Sequence, residues 1–135
     1  MTNPIVEIHI ADHGTIAVEL HQDKAPKSVE NFLITLGIQP IKVIDSPGLI
    51  VARTIAMLVN EACDAVNQGV CTEDAVNQAM RLGVNYPQGP FDWLEQWSAA
   101  DVAFLLDSMD DFYRGERYRV SPMLRRKSCE ELLNE

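Results

Sequence analysis

The stretch from Ile41 to Gln68 leaves this chain few choices. Ile41-Lys42-Val43-Ile44 is strand-like, Asp45-Ser46-Pro47-Gly48 is hinge chemistry, and a long apolar run follows. Asp and Ser accept hydrogen bonds from the free N–H groups of a helix start, and Pro suits the first helical position because it has no N–H to satisfy. The spacing predicts a helix from about Pro47 to Gln68, stopped by Gly69. At ~1.5 Å per residue it is roughly 30 Å long. Arg53, Asn60, Asp64 and Asn67 fall on one line at helical spacing, with Thr54, Glu61 and Gln68 beside them. Almost everything else in the run is apolar, so the helix has to be covered on most of its circumference, by its own domain or by a second subunit.

The segments before and after fit around that rod. Residues 5–10 and 15–20 alternate in polarity with Asp12-His13-Gly14 between them, the pattern of a β-hairpin. Asp23-Lys24-Ala25-Pro26 opens a helix to about Leu36, closed by Gly37, and Ile41–Ile44 adds a short strand. The first third therefore reads ββαβ, and the rest is helical. Thr72 caps a helix that turns Ala75, Val76, Ala79, Met80 and Leu82 inward and ends at Gly83. Asn85-Tyr86-Pro87-Gln88-Gly89-Pro90 is a stiff loop leading to a short helix with Phe91, Trp93, Leu94 and Trp97. Ser98 caps the next helix, with Leu106, Met109 and Phe112 inside and Gly115 at its end, and Ser121-Pro122 opens the last one.

Composition narrows the function. A chain of 135 residues can bury a core without disulfides or metals. Its net charge of -9 argues against nucleic-acid partners and anionic membranes. Arg53, Asn60 and Glu61 interrupt the longest apolar segment, so no membrane span is expected. Three cysteines, at 63, 71 and 129, fit neither a disulfide framework nor a zinc site. Met1-Thr2-Asn3-Pro4 lacks a signal-peptide pattern, and a cytoplasmic location is expected.

Two resemblances follow from particular words in the chain. Leu36-Gly37, Pro40-Ile41-Lys42-Val43, Asp45-Ser46-Pro47-Gly48-Leu49-Ile50-Val51, Arg53 and Asn60-Glu61-Ala62 come first. Gly69-Val70, Ala79-Met80-Arg81-Leu82-Gly83, Tyr86-Pro87, Gly89-Pro90-Phe91, Tyr113, Arg117-Tyr118-Arg119 and Leu124-Arg125-Arg126 complete the set. In that order they resemble the C-terminal helical domain of 3-hydroxyacyl-CoA dehydrogenases, most of all the second copy in long bacterial enzymes. The resemblance implies a mainly α fold, a 6-phosphogluconate-dehydrogenase C-terminal-like helical domain preceded here by a small ββα(β) segment. It implies a dimer interface, a place beside an NAD-binding Rossmann domain, and contact with acyl-CoA. The family's catalytic His and Glu belong to the Rossmann domain, and no G-x-G-x-x-G occurs here. The family's active-site Asn before the motif's Arg is replaced by Ala52, whose methyl group cannot hold a substrate oxygen. Residues 5–33 resemble the opening of a bacterial cyclophilin, through His13-Gly14-Thr15-Ile16, Glu19-Leu20 and Lys24-Ala25-Pro26-Lys27-Ser28-Val29-Glu30-Asn31-Phe32-Leu33. That family's catalytic Arg segment and later barrel strands do not follow, so isomerase activity is not expected. The division is then 1–36, a fused segment, and 37–135, the helical domain. The competing reading makes residues 5–44 the last β-α-β of a degenerate Rossmann domain.

The expected function is an isolated helical dimerisation and substrate-side domain, a homodimer without chemistry or NAD of its own. The alternative is an acyl-CoA-binding partner that completes a separate Rossmann subunit. Arg53 is the single candidate substrate-binding residue: it pairs with Glu61, Asp64 or another acid, or grips a phosphate. No catalytic or metal-binding residue is assigned. His9, His13 and His21 read as exposed hairpin positions, and Asp107, Asp110 and Asp111 as a solvated helix end. Cys63 reads as buried and inert, and Trp93 and Trp97 as core or subunit interface.

Overall fold

The computed structural model describes residues 5–10, 14–19, 26–37, 39, 41–43 and 46–134. His13, His21 and the first helix's expected Asp23 cap lie outside the described residues. The chain forms two compact units, Met1–Val51 and Ala52–Glu135.

In the first unit, alternating apolar residues make strands β1 (Ile5–Ile10) and β2 (Gly14–Glu19), followed by α1 (Pro26–Thr35) and β3 (Ile41–Val43). The sheet order is β2-β1-β3, and β1 runs antiparallel to both neighbours. Ile8 lies opposite Ile16, while Val6 faces Val18 on one side and Lys42 on the other. β2 and β3 therefore run the same way, and α1 is the crossover between them. Gly37, at φ 77, ends that helix in the left-handed region that glycine alone enters cheaply. The expected ββαβ order is present.

The second unit holds α2 (Val51–Asn67), α3 (Glu73–Gly83), α4 (Pro90–Trp97), α5 (Ala99–Tyr113) and α6 (Pro122–Asn134). A single 3-10 turn, Glu116–Tyr118, joins α5 to α6. Against the sequence expectation, α2 starts after the Pro47–Ile50 turn and not at Pro47. Gly48 (φ 79) and Leu49 (φ 45) take left-handed backbone, closed by a hydrogen bond from the Leu49 N–H to the Ser46 carbonyl (3.0 Å), so no right-handed helix can propagate through them. The other starts follow their caps: Thr72 Oγ1 accepts from the Ala75 N–H, and Ser98 Oγ from that of Asp101.

The core lies where α2, α4, α5 and α6 meet. Val59, Leu106, Met109 and Leu124 are fully buried, and the small side chains of Ala56, Cys63, Ala99 and Ala103 line the same cluster. Trp93 and Trp97 pack against it. Within α2 the exposed positions are Thr54, Glu61 and Asn67, all polar, and every apolar side chain is at least half covered by the chain itself. Four inward placements from the sequence fail, at Ala75, Ala79, Leu82 and Phe112. Phe112 is 64% and Leu82 76% exposed. The core stripe of α5 runs through Val102, Leu106 and Met109, which leaves Phe112 on the flank of the last turn, and α3 presents its Val76–Asn77 face inward, which turns Leu82, Ala75 and Ala79 away.

Candidate functional site

The polar line on α2 is a seam and not a wet face. Arg53 stands in the first turn of the helix, where a cation opposes the helix dipole and needs other company. It finds tyrosine. Its Nη2 donates to Tyr113 Oη, and its Cζ lies 5.0 Å from the Tyr113 ring centroid and 6.0 Å from that of Tyr118. The two rings are 5.4 Å apart, and Tyr118 is buried. Arg117 rests on the same Tyr118 ring, at 5.7 Å. Such guanidinium–ring contacts stabilise the cation through the ring quadrupole.

Further along the helix, Asn60 is buried and works as a clamp. Its Nδ2 donates to the Arg119 carbonyl (2.9 Å) and its Oδ1 accepts from the Ser121 N–H (2.8 Å). Asp64 pairs with Arg119 at 3.6 Å, and Asn67 Oδ1 accepts from Arg126 Nη2 at 2.8 Å. Asp64, a candidate partner for Arg53, is thus engaged by Arg119, and Glu61 is exposed. Ala52 sits half-buried immediately before Arg53 and brings only a methyl group to the position.

A second clamp is at Asn77 on α3. Its Oδ1 accepts from the Phe91 N–H and its Nδ2 donates to Asp92, both at 2.9 Å, while Asp92 Oδ2 accepts from the Gly89 N–H at 2.8 Å. A Cβ on Gly89 would lie 2.2 Å from Asn77 Oδ1, so only glycine lets the loop pass this close. Sequence reasoning missed Asn77; the signal available was an uncharged polar residue on the inward face of an otherwise amphipathic helix. It also missed that Tyr113 and Tyr118 receive Arg53, because nothing local links positions 60 residues apart.

The remaining candidates carry less chemistry. Glu73, Phe91, Leu94, Glu95, Lys127, Glu130 and Glu131 surround a cavity of about 310 Å³. Its one cation, Lys127, is held by Glu73 at 3.0 Å and lies over the Phe91 ring at 5.9 Å. Asp107, expected to be merely solvated, forms a two-pronged pair with Arg125 (2.7 and 2.6 Å), which holds its carboxyl below the ordinary range. Burial pushes the Cys63 thiol up to about 12, against which the nearby Lys127 charge does little. Among the described residues no three His, Cys, Asp or Glu side chains gather as a metal site, and no helix is long and apolar enough to cross a membrane. The sequence holds no glycine-rich G-x-G-x-x-G motif.

Comparison with known proteins places these features. Residues 48–134 match the family model of the 3-hydroxyacyl-CoA dehydrogenase C-terminal domain. Residues 5–75 match that of cyclophilin type peptidyl-prolyl cis-trans isomerases, a longer match than one ending at Leu33 and overlapping the first from 48 to 75. The chain is 37% identical to the 3-hydroxyadipyl-CoA dehydrogenase of Escherichia coli K12 over 115 residues, 85% of its own length and 24% of the relative's. Those 115 residues exceed the 99 from residue 37 onward, so the likeness takes in part of the N-terminal segment too. The crystal structure of 3-hydroxybutyryl-CoA dehydrogenase from Escherichia coli K12 superposes with a TM-score of 0.71 at 36% identity, covering 90% of this chain and 26% of that one. The (S)-3-hydroxybutyryl-CoA dehydrogenase of Ralstonia eutropha shares the fold, with a TM-score of 0.78 at 24% identity, over 87% of this chain and 42% of that one. The chain thus spans about a quarter of the E. coli relative. The helical unit with its Arg53 seam belongs to the 3-hydroxyacyl-CoA dehydrogenase family, as that family's C-terminal domain, and the N-terminal part of the chain carries a cyclophilin-type family segment before it.

Proposed function

We propose that this chain is a helical dimerisation and substrate-side module of the dehydrogenase type, a homodimer without chemistry of its own. The observation that carries the reading is the set of large apolar side chains left bare on the helical unit: Leu82, Phe104, Phe112, Leu132 and Leu133 are each more than half exposed. Bare apolar side chains of this size offer a surface for association with another chain. The covering surface is sought there and not on α2, whose apolar side chains the chain covers itself. Ala52 in place of a polar residue and the lack of a dinucleotide turn support a non-catalytic role. A cytoplasmic, reducing setting belongs to the same reading, in line with three free thiols at Cys63, Cys71 and Cys129. Light scattering on the eluting protein tests it: a dimer at micromolar concentration is expected, and a stable monomer overturns it.

A second reading is an acyl-CoA-binding partner that completes a separately encoded Rossmann subunit, with Arg53 facing the ligand. It is favoured by residues 48–134, which match the 3-hydroxyacyl-CoA dehydrogenase C-terminal domain. Calorimetry with acetoacetyl-CoA discriminates: saturable heat that Arg53→Ala abolishes supports it, and no heat at high ligand concentration removes it.

A further inference from the structure

We propose that the outer edge of β2 pairs antiparallel with β2 of a second copy, making one continuous sheet across two chains. Among the described residues, the order β2-β1-β3 leaves β2 and β3 at the two edges. β1 takes up the backbone groups of every second β2 residue, and those of the others point away from it. The two edges differ in sequence. β3 has three residues, carries Lys42 at its centre and follows Pro40 in the chain, the devices that keep an edge from recruiting strands. β2 has six residues, and from Gly14 to Val18 it holds neither charge nor proline. Thr15, Ile16 and Val18 are β-branched, the type that strands favour. An edge of that length and composition is a template for another strand. Charge and register choose the occupant. Directly opposed residues of an antiparallel pair turn their hydrogen-bonding groups the same way, so a two-fold pairing of β2 with itself centres on a residue. The longest overlaps centre on Ile16, pairing residues 14–18, or on Ala17, pairing residues 15–19. Neither sets Glu19 against Glu19. β3 centred on itself sets Lys42 against Lys42, and like charges directly opposite oppose the pairing. The two-fold contact closes on itself. A single strand edge offers far less area than a stable interface, so pairing sets in at submillimolar concentration.

This contact is separate from the helical one and is tested apart from it, by disulfide trapping in the full chain carrying Cys71→Ser and Cys129→Ser. Ile16→Cys and Ala17→Cys are each oxidised mildly at submillimolar concentration, with Val6→Cys on the central strand as reference. One or the other is expected to link two copies about tenfold faster than the reference, because only a centre residue meets its own copy at the Cα spacing a disulfide needs. Thr15→Lys with Ala17→Lys beside the first cysteine, or Ile16→Lys with Val18→Lys beside the second, sets like charges opposite each other and slows the link. Salt restores it by screening, which a merely unfolded variant would not show. Phe104→Glu with Leu133→Glu leaves the link intact. Three outcomes overturn the contact: neither cysteine linking faster than Val6→Cys, a link indifferent to the lysine pair or to salt, or a link lost with Phe104→Glu and Leu133→Glu. A monomer at micromolar concentration whose link still forms overturns the helical dimer and leaves the sheet contact standing.

Discussion

Three side chains of the helical unit carry structural information well beyond their size. Asn60 satisfies one buried carbonyl and one buried N–H of the connector leading into α6. Truncation strands both, so Asn60→Ala should destabilise the fold by roughly 2–4 kcal/mol, read from urea unfolding followed by tryptophan fluorescence. Gly89→Ala should be costly for a different reason: the new methyl meets the Asn77 side chain, whose amide is already committed to Phe91 and Asp92. Cys63 is fully buried, so a thiol reagent should modify Cys129 in the native protein and reach Cys63 only on unfolding. Its folded value lies above the ordinary 9.0, at about 12. Only the unfolded chain ionises in that window, so stability falls as pH rises from about 9 toward 12, by roughly 1 kcal/mol per pH unit. Cys63→Ala should flatten that limb of the profile. The burial of Cys63 was legible in the sequence because it follows from an apolar neighbourhood; the contact of Arg53 with Tyr113 was not, because it follows from where a distant segment lands.

Among the elements, helix order and caps were readable because they depend on residues within a turn of one another. The start of α2 was misread since Leu49, an ordinary helix former, is held in left-handed backbone by the turn around it. The faces of α3 and α5 were misjudged at Leu82 and Phe112, where apolarity suggested burial and geometry left them outside. The contact between α5 and α6 makes a sharper case. Leu106→Ala empties a fully buried position and should cost about 2–5 kcal/mol. Asp107→Asn breaks a half-exposed pair and should cost far less. The Asp107 pKa is lowered in the fold, so the pair's contribution is present above the ordinary carboxylate value of about 4 and is lost as pH falls through the lowered one. The stabilities of parent and Asp107→Asn, measured by chemical denaturation at stepped pH, should therefore converge on acidification.

For the whole molecule, composition excluded more than it identified, and family words supplied what composition lacked. The helix expected to be covered by its own domain or by a second subunit has the apolar side chains of α2 covered by this chain, and bare apolar residues lie on α3, α5 and α6. If Phe104 and Leu133 belong to the subunit contact, Phe104→Glu and Leu133→Glu should each shift a dimer to monomer in light scattering, with little change in helix content by circular dichroism. The seam along α2 has a temporal consequence as well. Arg53, Asn60, Asp64 and Asn67 all find their partners some sixty residues downstream. During synthesis α2 therefore emerges long before anything that can hold its polar side. A ribosome-tethered chain halted before Tyr118 should be cut readily by protease near α2, and resistance should appear only when α6 has cleared the exit tunnel.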